Sequence, residues 1–433
     1  TIVALHRAVY LSRTNPDARV LLTTFSDTLA NALRIRMRRL ISNTPRVGER
    51  LECIALNDIG LRLYSVNFGK IQIATAADIL KFMKEASNEI SGHKFPLSFL
   101  ITEWKDVVDG WQLNTWEEYR DAKRLGRKSR LPEKQRALLW SIFEKVRAGL
   151  NADKLITHAA VFTRLAEHFT KNKKLPFDYV VVDEAQDISI AQLRFLAALG
   201  ADRPNGLFFA GDLGQRIFQQ PFSWKALGVD IRGRSRTLRL NYRTSHQIRI
   251  QADRLLGKEI ADVDGNMEER RGIVSVFNGP KPAIMVCDSH EQEIDTVAKW
   301  LADRVKVGTA PHEIGLFVRS DEQIPRAKAA VEKSKLPYRI LDDAVETAGG
   351  KVSISTMHLA KGLEFRAVCV MACDDEIVPL QERIETAGDD AELEEVYNTE
   401  RHLLYVACTR ARENLLITSG GLPSEFIDDL NLH

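Results

Sequence analysis

Short, nearly unbroken apolar runs recur along this chain, and stretches of helical spacing separate them. Arg19–Thr24, Leu51–Leu56, Tyr179–Val182 and Gly206–Ala210 carry the theme through the first half. Gly272–Val276, Ala283–Val286, Ile314–Val318, Val352–Ser355, Ala367–Ala372 and Leu415–Thr418 repeat it in the second. A strand without polar alternation is one buried on both faces, and such strands belong to parallel sheets covered by helices. Thr1–Ser12 and Asp27–Ile41 have the three- and four-residue apolar spacing of the covering helices. Strand and helix alternating twice over predicts an α/β chain with two parallel-sheet domains. Residues 75–170 interrupt the pattern with a mostly helical stretch holding Trp104, Trp111 and Trp116. The nearest thing to a linker is the Gly349–Gly350 pair.

The length of 433 residues exceeds what one core serves and implies two to four compact units. No apolar run reaches the length of a membrane span. Five cysteines occur with no CxxC pair, a usage that suits a reducing cytoplasm; Cys369 and Cys373 read as buried thiols. The formal charge of +2 hides segregation. Residues 1–50 carry nine Lys/Arg against three Asp/Glu, and residues 120–147 carry ten against three, among them Arg124, Arg127, Lys128 and Arg130. Residues 374–400 carry one against eleven and read as a solvated loop. Basic zones suit a phosphate backbone, though a solvated helical face gives the same run.

Several strand ends run into chemistry. Val180-Val-Val-Asp-Glu-Ala-Gln-Asp187 delivers Asp183 and Glu184 where ligands bind in parallel α/β sheets. An aspartate there can hold Mg²⁺, and the adjacent glutamate can orient or deprotonate a water; an acidic helix start is the plainer reading. Phe208-Phe-Ala-Gly-Asp-Leu-Gly-Gln-Arg-Ile-Phe218 places Gln215 after another strand, where it can sense a phosphate. Phe218, Phe222 and Trp224 then crowd one segment, either as base-stacking surfaces or as core. Leu238-Arg-Leu-Asn-Tyr-Arg-Thr-Ser245 offers Arg243 for phosphoryl charge and Tyr242 for stacking on a purine. Ile354-Ser-Thr-Met-His-Leu-Ala-Lys-Gly-Leu-Glu-Phe365 offers His358 and Lys361 for nucleic acid or phosphate and Glu364 for a ribose. In Glu400-Arg-His-Leu-Leu-Tyr-Val-Ala-Cys-Thr-Arg-Ala411, Arg410 ends a helix, where a cation also suits the dipole.

In this order and spacing the motifs DEAQD, GDxxQ, LxxNYRT, TxHxxKGLEF and LLYVACTRA resemble those of superfamily 1A helicases of the UvrD/Rep/PcrA type. The resemblance covers nearly the whole chain. It implies two RecA-like motor domains of the P-loop NTPase fold: a first over 1–240 with a small helical insertion at about 90–155, and a second over 241–433. It implies ATP and Mg²⁺ as cofactors, DNA as partner and 3′-to-5′ movement on single strands. Asp183 then takes the Mg²⁺ ligand's place, with Thr1 as the hydroxyl ligand, and Glu184 the general base's. Gln215 matches the phosphate sensor supplied by the first domain; Arg243 and Arg410 match two arginine fingers supplied by the second. Tyr242, Gly362 and Glu364 fall among the nucleotide contacts. Thr24 and Phe25 match a pair touching single-stranded nucleic acid, and His358 and Lys361 lie near its path.

The chain departs from the pattern in three places. Thr1-Ile-Val-Ala-Leu matches the segment just after the Gly-Lys of a phosphate loop, so the chain is expected to be a piece of a longer protein and, alone, to bind ATP poorly and hydrolyse it little. About eight residues near 342–350 replace a large accessory insertion. Gln220 stands where relatives have a stacking tryptophan. Three other functions fit the same motifs: a nucleic-acid-binding module without ATPase activity, a remodeller that displaces proteins without unwinding duplex, and an RNA helicase.

Overall fold

A computed structural model describes residues 1–122, 131–172, 174–200, 203–212, 215, 222–256, 259–261, 264, 267–269, 273–342, 349–385 and 390–431. The chain forms two compact units, Thr1–Asp212 with Phe218–Gly233, and Leu213–Ile217 with Arg234–His433.

The first unit contains β1 (Val20–Thr24), β2 (Leu51–Ala55), β3 (Gln72–Ile73), β4 (Leu155–Ile156), β5 (Tyr179–Val182) and β6 (Leu207–Phe209). Four of these form a parallel sheet in the order β2-β1-β5-β6, with Val20 opposite both Leu51 and Tyr179. The two-residue period of a strand divides its side chains between the faces. Val20, Leu22 and Val181 pack with Leu5 and Val9 of the Ile2–Thr14 helix and Leu33 and Met37 of the Asp27–Leu40 helix. Leu21, Val180 and Val182 pack the opposite way, against helices Leu56–Phe68, His158–Lys171 and Ile190–Gly200. Burying each such side chain contributes about 1.5–3 kcal/mol, so the apolar runs fix the sheet.

The helical interruption has its own core. Helices Ala76–Glu89, Leu97–Glu103, Trp116–Asp121 and Glu133–Ala152 enclose Phe82, Met83, Trp104, Tyr119, Trp140 and Phe143. Capping boxes at Thr75–Asp78 and Thr115–Glu118 start two of them. Helix begins at 76, as the mostly helical reading of residues 75–170 expects, and Trp104 and Trp140 belong to packing. The basic run at Arg124, Arg127, Lys128 and Arg130 lies outside the described residues.

The second unit contains β7 (Leu240–Asn241), β8 (Glu259–Ala261), β9 (Met267–Glu269), β10 (Val274–Ser275), β11 (Ala283–Cys287), β12 (Ile314–Val318), β13 (Tyr338–Ile340), β14 (Val352–Thr356), β15 (Phe365–Val370) and β16 (Ala411–Gly420). Six form a parallel sheet in the order β11-β16-β15-β12-β14-β13. Helices His290–Lys306 and Ile324–Lys333 cover one face, and helices His246–Asp253, Asp390–Thr409 and Glu425–Asn431 the other.

Four expectations change. The Gly272–Val276 run does not enter the central sheet; its Val274–Ser275 part pairs with β7 in a two-stranded ribbon. Tyr338–Ile340, too short to stand out as a run, becomes an edge strand. Gly349–Gly350 is a turn ahead of β14, the sheet neighbour of β13, and not a linker between units; of the 342–350 connection, 343–348 lie outside the described residues. The acidic stretch is no simple solvated loop: it holds helix Gln381–Glu385 and the start of helix Asp390–Thr409, and Asp374 and Glu400 are buried against arginines. All five cysteines are buried and unpaired, and burial pushes the Cys369 and Cys373 thiols well up. Among the described residues no helix is long and apolar enough to cross a membrane.

Candidate nucleotide and nucleic-acid site

In the first unit β5 ends at Val182, and the Asp183 backbone N–H continues its ladder, donating to Thr23 O at 2.8 Å. Asp183 is buried, and its Oδ1 lies 3.0 Å from the Thr1 α-nitrogen. Burial pushes its carboxyl up, and the neighbouring Glu184 charge adds to the rise. The hydroxyls of Thr23 and Thr24, at the adjacent end of β1, are buried without a hydrogen-bond partner. A buried carboxylate beside hydroxyl oxygens is the chemistry of a hard-cation ligand. Among the described residues no three His, Cys, Asp or Glu side chains converge as a metal site. Mg²⁺ asks for less, since it is held by one or two carboxylates with phosphate oxygens and water supplying the rest. Asp183 with Thr1 fits that requirement.

Glu184 takes the left-handed conformation, φ 55° and ψ 45°, which turns the chain sharply from strand into the Ala185–Asp187 turn. Such a conformation in a non-glycine residue costs on the order of 1–2 kcal/mol and needs support. Gln186 provides it. Its Nε2 donates to Glu184 Oε2 at 2.7 Å, and its Oε1 accepts from the Asp212 N–H at 3.0 Å. Gly211 is required by this contact, since a Cβ there would stand 2.6 Å from Gln186 Oε1. The sequence singled out Asp183 and Glu184 and passed over Gln186, although it lies in the same run. A glutamine reveals its partners only when the loop after β6 is folded beside it.

The aromatic expectations divide. Phe222 is 8% exposed and packs in the core, its ring stacked on Trp224 at 6.3 Å. Trp224 meets Phe209 edge-on at 4.8 Å and is half-buried. Burial corrects the base-stacking reading of Phe222 in favour of the core, whereas Trp224 packs on the core through two ring contacts and stays partly exposed. Phe218 and Gln220 lie outside the described residues. Thr24 is buried and Phe25 half-buried.

The second unit gathers the remaining candidates. Gln215, expected from the first domain, belongs with this unit, because Arg410 and Lys361 hold it. Arg410 Nη2 donates to Gln215 Oε1 at 2.7 Å, and Lys361 Nζ donates to the Gln215 carbonyl. Arg410 is 2% exposed, and its Nε donates to Val406 O at 3.0 Å in the last turn of helix Asp390–Thr409, as a helix-end cation does. Arg243 Nε lies 2.9 Å from Glu364 Oε1, and its Nη2 donates to Leu363 O at 2.8 Å. Two residues given separate roles therefore pair with each other. The turn between Lys361 and Glu364 depends on Gly362 at φ 82°, a conformation glycine takes without strain. Tyr242 is 67% exposed, as a stacking side chain must be.

His358 follows β14. Burial, then the Arg319 charge, push its ring down to about 4, so it is neutral at physiological pH. Arg319 pairs with Glu400 through Nε and Nη2, both at 2.5 Å, and Arg383 adds a contact at 2.9 Å. This ion cluster beside His358 was not anticipated, because its members lie 81 residues apart.

The family model described as the UvrD/REP helicase N-terminal domain matches residues 1–223, and that described as the UvrD-like helicase C-terminal domain matches residues 341–420. A probable DNA helicase of Mycoplasma pneumoniae is 24% identical over 258 residues, covering 57% of this chain and 44% of the relative. The ATP-dependent DNA helicase UvrD1 of Mycobacterium leprae is 38% identical over 106 residues, 24% of this chain and 13% of its own. The ATP-dependent DNA helicase PcrA of Staphylococcus epidermidis is 37% identical over 99 residues, 20% and 13% of the two chains. The matches span less than half the length of each of these relatives. With two parallel-sheet units, the acidic pair at the end of β5 and a family match over residues 1–223, the chain belongs to the UvrD/Rep helicase family.

Proposed function

We infer that the chain is motor machinery of an ATP-dependent DNA helicase that moves 3′ to 5′ on single strands. The observation that carries the reading is the strand-end carboxylate pair: Asp183 buried, and Glu184 held by Gln186 to the loop after β6. Mg²⁺-ATP, when bound, supplies the phosphoanhydride whose hydrolysis releases the free energy. Asp183 and Thr1 would hold the metal. Glu184 orients a water and accepts its proton, which for a positioned base contributes about 10²–10⁴-fold. Arg243 and Arg410 neutralise charge developing on phosphoryl oxygens, with Gln215 and Lys361 close to Arg410. Exposed Tyr242 stacks on the base, and Glu364, freed from Arg243, and Gly362 face the sugar side. Thr24, Phe25 and His358 contact the strand, the neutral His358 as a hydrogen-bonding group and not as a cation.

The test is phosphate release from ATP by the longest natural form of the protein, with and without single-stranded DNA, beside Glu184→Gln. Stimulation by DNA, with a loss of about 10²-fold or more in the variant, is the expected result. Absence of DNA-stimulated hydrolysis would leave a nucleic-acid-binding module as the better account. Displacement of RNA duplexes in preference to DNA duplexes would move the substrate to RNA.

A further inference from the structure

The basic character of residues 1–50 is not absorbed by the site at the strand ends. All nine cations of this segment are arginine and none is lysine. Arg36, Arg38 and Arg39 lie on the exposed face of helix Asp27–Leu40, Arg13 in the last turn of helix Ile2–Thr14, and Arg46 in the short helix Pro45–Gly48. The ends of these helices meet: Leu11, Ile41 and Val47 share one core, and Ser12 Oγ donates to Val47 O at 3.4 Å. Among the described residues none of these five guanidiniums has an ion-pair partner. Other exposed arginines of the same unit do, as Arg203 with Asp178 at 2.7 Å and Arg232 with Asp230 at 2.6 Å show. Arg50 adds a sixth charge here, bonded through Nη1 to the Asn15 carbonyl at 3.3 Å.

Helix dipoles account for part of this. Two helix C-termini supply about half a negative charge each, roughly one in total. Asp17 and Glu49 supply two more. The six arginines exceed all of these together, so the surface keeps a net positive charge of about three. Its position separates it from the strand-end site. The Arg50 carbonyl accepts from the Val20 N–H at the entry of β1, whereas Thr24 closes the same strand. Four residue steps put the two ends about 13 Å apart.

We propose that this arginine-rich end of the first unit, built by Arg13, Arg36, Arg38, Arg39 and Arg46, is a second DNA contact that grips the phosphate backbone of duplex DNA. The partner class rests on the DNA-motor reading above. Arginine fits because its planar fork pairs bidentately with phosphate. Duplex fits better than single strand because surfaces for single strands set several aromatic rings among the cations; neither Asp27–Leu40 nor Pro45–Gly48 contains one, and the exposed ring of helix Ile2–Thr14, Tyr10, has the Arg7 guanidinium 5.6 Å from its centre. Rigid helices holding fixed charges suit the regular phosphates of a duplex, whose axial spacing is about 1.7 Å per charge.

The test is fluorescence anisotropy of the whole chain with a blunt duplex, a single strand of the same length and polyglutamate, over stepped salt concentrations. The variant joins Arg36→Gln, Arg38→Gln, Arg39→Gln and Arg46→Gln, and a second carries lysine at the same four positions to control for folding. The expected result is a duplex salt slope shallower by about 0.9 per lost contact, so by about 3 to 4 overall, with the lysine variant keeping most of the slope. A glutamine variant with the wild-type duplex affinity and slope overturns the proposal. So does a loss confined to the single strand or to polyglutamate. Wild-type protein that binds neither DNA overturns this proposal and the motor reading together, whereas an unchanged slope with intact binding overturns only the former.

Discussion

Gln186 joins the loop that carries Glu184 to the loop that follows β6, through bonds of 2.7 and 3.0 Å. On the proposed function its role is positioning: it touches Glu184, the proposed base, and not the reacting atoms. Gln186→Ala frees the Glu184 carboxylate to turn away, and a misplacement of about 1 Å costs on the order of 10²-fold in rate. The expected outcome in steady-state ATPase kinetics is a kcat lower by about 10- to 100-fold with KM for ATP little changed. Gln186→Glu, which keeps the reach but sets a second carboxylate against the first, is expected to be no better. A fall in thermal stability with kcat intact would show the side chain to be merely structural. At this scale the sequence announced Asp183 and Glu184 because an apolar run ended on them. It left Phe222 and Trp224 open between the two roles, because an aromatic side chain serves a core and a nucleic-acid surface equally well until its neighbours are known.

The turn Trp104–Asp109 is π-helical, and Asp109 ends it with both its bonds on one oxygen. Oδ1 accepts from Gln112 Nε2 and from Thr157 Oγ1, each at 2.6 Å. Burial pushes this carboxyl up to about 6, from an ordinary 3.8, against the pull of these bonds and of Arg147. Between those two pH values the folded chain holds a proton that the unfolded chain has lost, so stability falls as pH rises through the window, and above it the full cost remains. Asp109→Asn keeps the accepting oxygen and removes the charge. It should therefore stabilise the protein by about 1–2 kcal/mol at pH 7–8, with the gain vanishing below about pH 4. Urea unfolding at several pH values measures this, and an Asn variant no more stable at pH 8 than the wild type would refute it. Among the elements, strands buried on both faces were legible as apolar runs. Tyr338–Ile340 was not, since an edge strand of three residues owes its existence to pairing with β14.

In the second unit, arginine–carboxylate pairs tie together segments far apart in the chain. Glu400 is fully buried against Arg319, itself 4% exposed. Burial works to raise the Glu400 carboxyl, but Arg319 and Arg383 prevail and hold it below its ordinary range. Glu400→Gln leaves the Arg319 charge buried without its counterion, so a loss of about 3–5 kcal/mol is expected. The double variant Arg319→Met with Glu400→Leu should recover most of it, and denaturant unfolding of the three proteins decides. What the sequence by itself determined was the alternation of two parallel sheets with helices, and the acidic pair at a strand end. Both are local: burial on two faces writes an apolar run, and the end of that run fixes where a carboxylate stands. Only the tertiary structure decided that Gln215 meets Arg410, that Arg243 meets Glu364, and that part of an acidic stretch is buried beside arginines. Each of those pairs joins residues that chain spacing cannot bring to mind, because a long-range contact is set by how the sheets and helices pack and leaves no period in the sequence.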